Sequence, residues 1–374
     1  MRSPQIKSLL KVLPKTQPVL LIGPPGVGKS EVVRQFARAE AKVEGREFID
    51  FHKVASNIDK VKEIVSNPQR YYIYVDFRLT KCVPEDLLGL PEKIVIDGVT
   101  VYNYNPPIWA KLLSLPGISG LLFLDEITNV QRDDVISAAY AIVLDRKVGF
   151  TKLSNNVRII AAGNPPEYSS IARPLPAPLT NRFLVVYVDA PTLDEWATYM
   201  YRKYGDNWNK LVYAYLQIFP LDFVKPPKEI ETLENFPTPR SWTKLALATK
   251  REVIKEVCEG LVGREVGGKF YAFTRKRVPK PEELLENPKL FSSLDREAMA
   301  VACWSVAQYM TQMYREGKYD QIKDKVKKFV EYVSSVNREY VILLVKLIHP
   351  DIRLTLVKPF LDLIKDIIVK TAKY

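Results

Sequence analysis

The sequence predicts an α/β protein on a doubly wound parallel sheet, followed by an all-helical region. Short apolar runs recur between helical stretches up to residue 190, a glycine-rich turn joins the first run to a helix, and strand signals fade after Pro191. Residues 18–23, PVLLIG, read as a buried strand ending before a turn. From Gly28 to about Ala41, Val32, Val33, Phe36 and Ala37 fall on one helical face. Further strands are expected at 71–79, 120–127, 157–164 and 183–190, separated by crossovers that imply parallel pairing.

Two segments break that rhythm. Residues 92–104 alternate around Asp97-Gly98, a strong hairpin signal. Residues 146–156, RKVGFTKLSNN, read as a second, more polar hairpin. After Pro191 the periodicity is helical, VPKPEELLENPKL at 278–290 reads as a linker, and helix resumes from about 296 with breaks at Pro350 and Pro359.

Composition bounds the function. The 374 residues favour more than one core. The first residues, MRSPQIKSLLKVLPKTQP, lack a continuous apolar core, and no run approaches the roughly 20 apolar residues of a membrane span. A soluble, cytoplasmic protein with no membrane partner is expected. Cys82, Cys258 and Cys303 are odd in number and far apart, which argues against a disulfide framework or a zinc ribbon, and His52 and His349 are isolated. The net charge of +12 suits an anionic partner without establishing one, because the groups Arg275-Lys276-Arg277 and Lys323 to Lys328 also read as solvated surface.

Gly23-Pro24-Pro25-Gly26-Val27-Gly28-Lys29-Ser30 fits GxxxxGK[ST] in every fixed position, and the nucleotide-binding stretch is read through Glu31. Glycines let backbone N–H groups close around phosphates, and the following helix presents its positive end to them. Lys29 is expected on the β- and γ-phosphates of ATP and Ser30 on magnesium. Leu121 to Glu126 is an apolar strand ending in adjacent carboxylates, which it delivers to the ligand-binding edge of the sheet. Asp125 is expected to hold the magnesium with Ser30, and Glu126 to orient or deprotonate the attacking water.

These motifs, with IIAAGNPP ending in Asn164, LPAPLTNRF containing Arg182 and FPTPRSW containing Arg240, resemble an AAA+ ATPase, more closely the MoxR-like family. Both hairpins, and EDLLGLP at 85–91, fall where that family carries its insertions. The resemblance implies an AAA+ nucleotide-binding domain over 1–190, a helical lid over 191–277, and a linker with a helical C-terminal extension over 278–374. It implies that Asn164 is a polar sensor, that Arg182 is an arginine finger acting on a neighbouring subunit, and that Arg240 is a second sensor. Strand-end capping, a surface salt bridge and a helix-start arginine are the bland alternatives, although an arginine is poorly suited to a helix N-terminus. A homo-oligomeric, hexameric ring that remodels a protein client is implied, a von Willebrand-type domain protein being one such client. Ile94, Val95, Val99, Tyr102 and Tyr104 either grip such a partner or pack against the sheet. Trp109 reads as structural, and Arg78 lies at a strand end with no assigned role. The alternative is a nucleic-acid motor or loader, supported by Arg146, Lys147 and Lys152 of the second hairpin.

Overall fold

The computed structural model describes residues 1–227 and 232–364, which form two compact units meeting in sequence at Ala190–Pro191. Residues 228–231 of the expected lid and 365–374 of the expected C-terminal extension lie outside the described residues.

The first unit contains β1 (Val19–Ile22), β2 (Glu47–Asp50), β3 (Tyr71–Arg78), β4 (Leu90–Ile96), β5 (Val99–Asn105), β6 (Ser119–Asp125), β7 (Lys147–Val148), β8 (Thr151–Lys152), β9 (Val157–Gly163) and β10 (Leu184–Tyr187). Six of these make one parallel sheet in the order β10-β1-β9-β6-β3-β2. Side chains alternate across it. Leu20, Ile73, Val75, Leu122 and Leu124 enter one core, while Leu21, Tyr72, Tyr74, Leu121 and Phe123 meet Val33, Phe36 and Ala37 of the helix Lys29–Val43 on the other face. Covering both faces is why these strands read as unbroken apolar runs.

The expected α/β class and parallel sheet are observed, with additions. Edge strand β2 escaped notice because EFID offers only Phe48 and Ile49 as apolar residues. The helix Ser3–Val12 buries only Ile6 and Leu10, a two-residue stripe obscured by lysines. Arg158, 2% exposed, joins its neighbourhood to the sheet through Glu40 at 3.2 Å and the carbonyl of Leu13. Arg34 binds Asp50 and Asp76 at 2.9 Å each, tying the helix after the glycine turn to β2 and β3.

The second unit is helical, and one apolar cluster runs from Trp196 to Ile364. Tyr215 packs among Phe219, Trp242, Phe270 and Phe273. The linker reading of 278–290 is corrected: Pro281–Glu286 is a helix whose Leu284 and Leu285 are buried. Its proline and acidic first turn are helix-start signals as well as loop signals. Where helix Arg264–Thr274 crosses helix Lys255–Val262, a β-carbon on Gly267 would lie 2.5 Å from the Cys258 backbone, whereas one on Gly268 meets only Glu259 Oε1 at 3.5 Å. Gly267→Ala is therefore expected to cost about 2 kcal/mol by forcing the helices apart. Gly268→Ala should be neutral or slightly stabilising through helix propensity. Denaturant unfolding of the two full-length variants checks the contrast, and equal midpoints would contradict the packing argument.

Candidate functional site

The glycine-rich turn leaves β1 at the carboxyl edge of the sheet. Gly26 (φ 78°) and Gly28 (φ 97°) take left-handed conformations that let the loop curl before the helix starts at Lys29. Gly23 is required by space, since a β-carbon there would lie 2.4 Å from the carbonyl oxygen of Val188. Val27 is buried and anchors the loop. Pro24 and Pro25 complete the turn, and Glu31 lies in the first turn of the helix, accepting from Gln35 at 2.9 Å.

Lys29 is 8% exposed and its ammonium donates to the carbonyls of Gly23 (2.6 Å) and Pro24 (2.9 Å) and to Asn164 Oδ1 (2.9 Å). A residue of the glycine loop and one at the end of β9 thus meet at one charged atom, because β1 and β9 are direct neighbours. Asn164 is itself fixed, exchanging backbone hydrogen bonds of 2.9 Å each with the Thr128 hydroxyl. Gly163 leaves room for that hydroxyl, since a β-carbon would fall 2.5 Å from Thr128 Cγ2.

The Ser30 hydroxyl donates to Asp125 Oδ2 at 2.7 Å. Burial raises the Asp125 pKa, and the hydrogen bond from Ser30 opposes that rise. A proton consequently competes for this carboxylate at higher pH than for an ordinary aspartate. The two oxygen ligands fit a hard divalent cation such as magnesium, which takes one or two protein oxygens and keeps the rest for water and phosphate.

Glu126 sits in a left-handed conformation (φ 61°) that is rare for a residue with a side chain and is concentrated at functional sites. The strained turn carries its carboxylate to Thr80, whose hydroxyl donates at 2.5 Å, and to Arg78, whose Nε lies 3.5 Å away. Thr80 had no signal of its own in the sequence. The signal that could have found it is strand order: β3 lies beside β6 with Arg78 opposite Asp125, so the residues just beyond Arg78 must meet Glu126.

Five predicted residues, Lys29, Ser30, Asp125, Glu126 and Asn164, therefore gather at one sheet edge. Arg182 does not join them. It is exposed in the turn before β10, and its carbonyl accepts from Gln17 at 3.2 Å, ahead of β1 and at the opposite edge. The six residues from Gln17 to Gly23 span roughly 20 Å of extended chain, beyond the reach of an arginine side chain. Arg240 is exposed in the second unit, in the first turn of helix Pro239–Ala248, which Thr238 caps by accepting from Ser241 N at 3.1 Å.

The hairpins form as expected. β4 and β5 pair antiparallel around Asp97-Gly98, and Val95, Val99, Tyr102 and Tyr104 are exposed, so these side chains do not pack against the sheet. The second hairpin is only two residue pairs long. Trp109 is structural, 2% exposed with its indole donating to the carbonyl of Asp86. Among the described residues no helix is long and apolar enough to cross a membrane.

Residues 18–183 match the family model of the AAA domain of the dynein-related subfamily. No curated protein matches the chain. Among solved structures, NtrX from Brucella abortus is 16% identical, covering 91% of this chain and 67% of its own, with a TM-score of 0.34. A mutant RuvB from Thermotoga maritima is 17% identical over 84% of this chain and 73% of its own, with a TM-score of 0.35. PCH-2 from C. elegans is 13% identical over 80% and 67%, with a TM-score of 0.28. At such TM-scores these likenesses carry no argument about function.

Proposed function

We propose, from the match of residues 18–183 to the AAA-domain family model, that the chain is a Mg-ATP-hydrolysing, MoxR-like ATPase that works as a homo-oligomeric ring, a hexamer, and remodels a protein client. The observation that carries the reading is the meeting of Lys29, Ser30, Asp125, Asn164 and Glu126 at one sheet edge. Phosphoryl transfer is accelerated mainly by positioning and charge stabilisation, and this set contains only charges, a hydroxyl and an amide.

ATP would bind with its phosphates against the glycine loop, drawing the Lys29 ammonium from the carbonyls of Gly23 and Pro24 to the β- and γ-phosphates. Magnesium held by Ser30 and Asp125 would neutralise phosphate charge. Asn164, fixed by Thr128, would position the attacking water, and Glu126 would accept its proton on leaving Thr80. Arg182, at the far edge, is suited to a neighbour's nucleotide rather than its own, which favours the ring. Arg240 is proposed as the second sensor of a lid over 191–277, with 278–374 as a helical extension.

A nucleic-acid motor is the second reading, but Arg146, one of the three cations that favoured it, donates inward to the carbonyls of Ser154 and Val157. ATP hydrolysis by the full-length protein is therefore expected to rise with a protein client, a von Willebrand-type domain protein being the first to try, and not with single- or double-stranded DNA. Phosphate release in parallel titrations checks this. Stimulation by DNA that fades steeply with salt would reverse the ranking.

A further inference from the structure

We propose that Arg34 is a positioning residue for the pair Ser30 and Asp125, holding the helix Lys29–Val43 in the seating that offers both oxygens to a divalent cation. The inference rests on the ATPase reading above and deepens its cation site. Ser30 and Arg34 are four residues apart, so they lie one above the other on the same face of that helix. The Ser30 hydroxyl reaches Asp125 at the end of β6, and the Arg34 guanidinium reaches the ends of the next two strands. Its Nη1 donates to Asp50 Oδ2 of β2 and its Nη2 to Asp76 Oδ2 of β3, each at 2.9 Å.

Register sets these acids in one row. Asp50 pairs with Tyr74 of β3, Asp76 with Phe123 of β6, and Arg78 with Asp125. Tyr74 and Phe123 lie in the core beneath the helix, and side chains alternate along a strand, so Asp50, Asp76 and Asp125 all project from the helix-bearing face. Three neighbouring strands thus present one carboxylate each to a single helix. The Arg34 fork is itself fixed. Its guanidinium lies 5.1 Å from the centroid of the Tyr74 ring, whose hydroxyl donates to Asp76 Oδ2 at 3.2 Å. An ordinary surface pair leaves both partners in water and contributes little. The Asp50 side chain is only 9% exposed, so Arg34 partners a carboxylate that water scarcely reaches.

The consequence is mechanical. A helix pinned through Ser30 alone could pivot about that contact. Pinned also at Asp50 and Asp76, it is held at three points on strands that the sheet spaces about 4.8 Å apart. Magnesium demands near-octahedral oxygens at about 2.0–2.1 Å, so a shift of Ser30 by about 0.5 Å would spoil the set. Arg34 acts on the cation site only through where it seats Ser30.

Manganese serves as the probe, read by electron paramagnetic resonance on the full chain with ADP, so that cation binding is measured without hydrolysis. Arg34→Met is expected to weaken manganese binding at least about tenfold, since partners that orient metal ligands typically contribute about 10- to 100-fold in affinity. Arg34→Lys keeps the charge but cannot fork between two acids, and should fall between. Because Arg34→Met leaves Asp50 without its cation, the triple variant Arg34→Met, Asp50→Asn, Asp76→Asn is measured beside it. The triple variant removes the tie and the unpaired charges together, and should recover the midpoint of denaturant unfolding but not the manganese affinity. A double-mutant cycle with Ser30→Ala locates the effect: in that background Arg34→Met should weaken manganese binding by less than about threefold further. Unchanged binding in Arg34→Met, full recovery in the triple variant, or fully additive losses in the cycle each overturn the positioning role. Unmodified protein that binds neither ADP nor manganese counts against the nucleotide site itself rather than against Arg34.

Discussion

Lys29→Ala is expected to lose ATP binding by at least about a hundredfold, whereas Glu126→Gln keeps binding and loses about a hundred- to ten-thousandfold in turnover. The contrast follows from where the two side chains sit. Lys29 is an ammonium at the centre of the glycine loop, already collecting two carbonyls and an amide oxygen. Exchanging those partners for two phosphates creates charge-assisted hydrogen bonds worth roughly 1.5–3 kcal/mol each, and every 1.4 kcal/mol or so is tenfold in affinity. Glu126 lies one residue beyond Asp125, the proposed cation ligand, in a left-handed turn that points its carboxylate elsewhere, toward Thr80 and Arg78. It has no part in holding phosphates. Glutamine keeps its shape and can still accept from Thr80, but it cannot take a proton, so the loss is confined to the general-base contribution of about 10²–10⁴. Calorimetry with ATP and steady-state phosphate release measure the two effects separately. Normal turnover by Glu126→Gln would remove Glu126 from the role of base.

The same geometry explains what was legible in the sequence. The glycine loop, Ser30 and the Asp125–Glu126 pair could be read directly because each is set by local chain: a strand end, a turn that needs positive φ, a helix start. The sheet was legible because burial on both faces makes a strand uniformly apolar, as in Leu121 to Leu124. Features that depend on which strand lies beside which were not. Thr80 reaches Glu126 only because β3 pairs with β6, and Lys29 reaches Asn164 only because β1 pairs with β9. The helix Pro281–Glu286 was hidden for another reason. Its proline and glutamates are ambiguous locally, and burial of Leu284 and Leu285 in the second unit's core decides the outcome.

On the proposed reading hydrolysis is expected to require assembly, because Arg182 stands at the sheet edge opposite Lys29 and would serve a neighbour's nucleotide. Arg182 follows the short helix Ala177–Thr180 and precedes β10, exposed and with its carbonyl held by Gln17. Arg182→Ala should therefore bind ATP normally and hydrolyse it at least about a hundredfold more slowly, since arginine fingers supply about 10³–10⁵ in rate. The rate per wild-type subunit should rise with protein concentration as rings form. Mixing is the sharper measurement. In a ring every interface is head-to-tail, so a site takes its base from one subunit and its finger from the next. An Arg182→Ala subunit retains Glu126, and a Glu126→Gln neighbour retains Arg182, so the interface between them in that order is complete. Random mixing of equal amounts makes about a quarter of interfaces of this kind, and activity should return to about that fraction of wild type. A mixture as inactive as its parents, with mixed oligomers demonstrated by native mass spectrometry, would show that the finger does not act across the interface. Full hydrolysis by a strictly monomeric sample would show that no finger is needed.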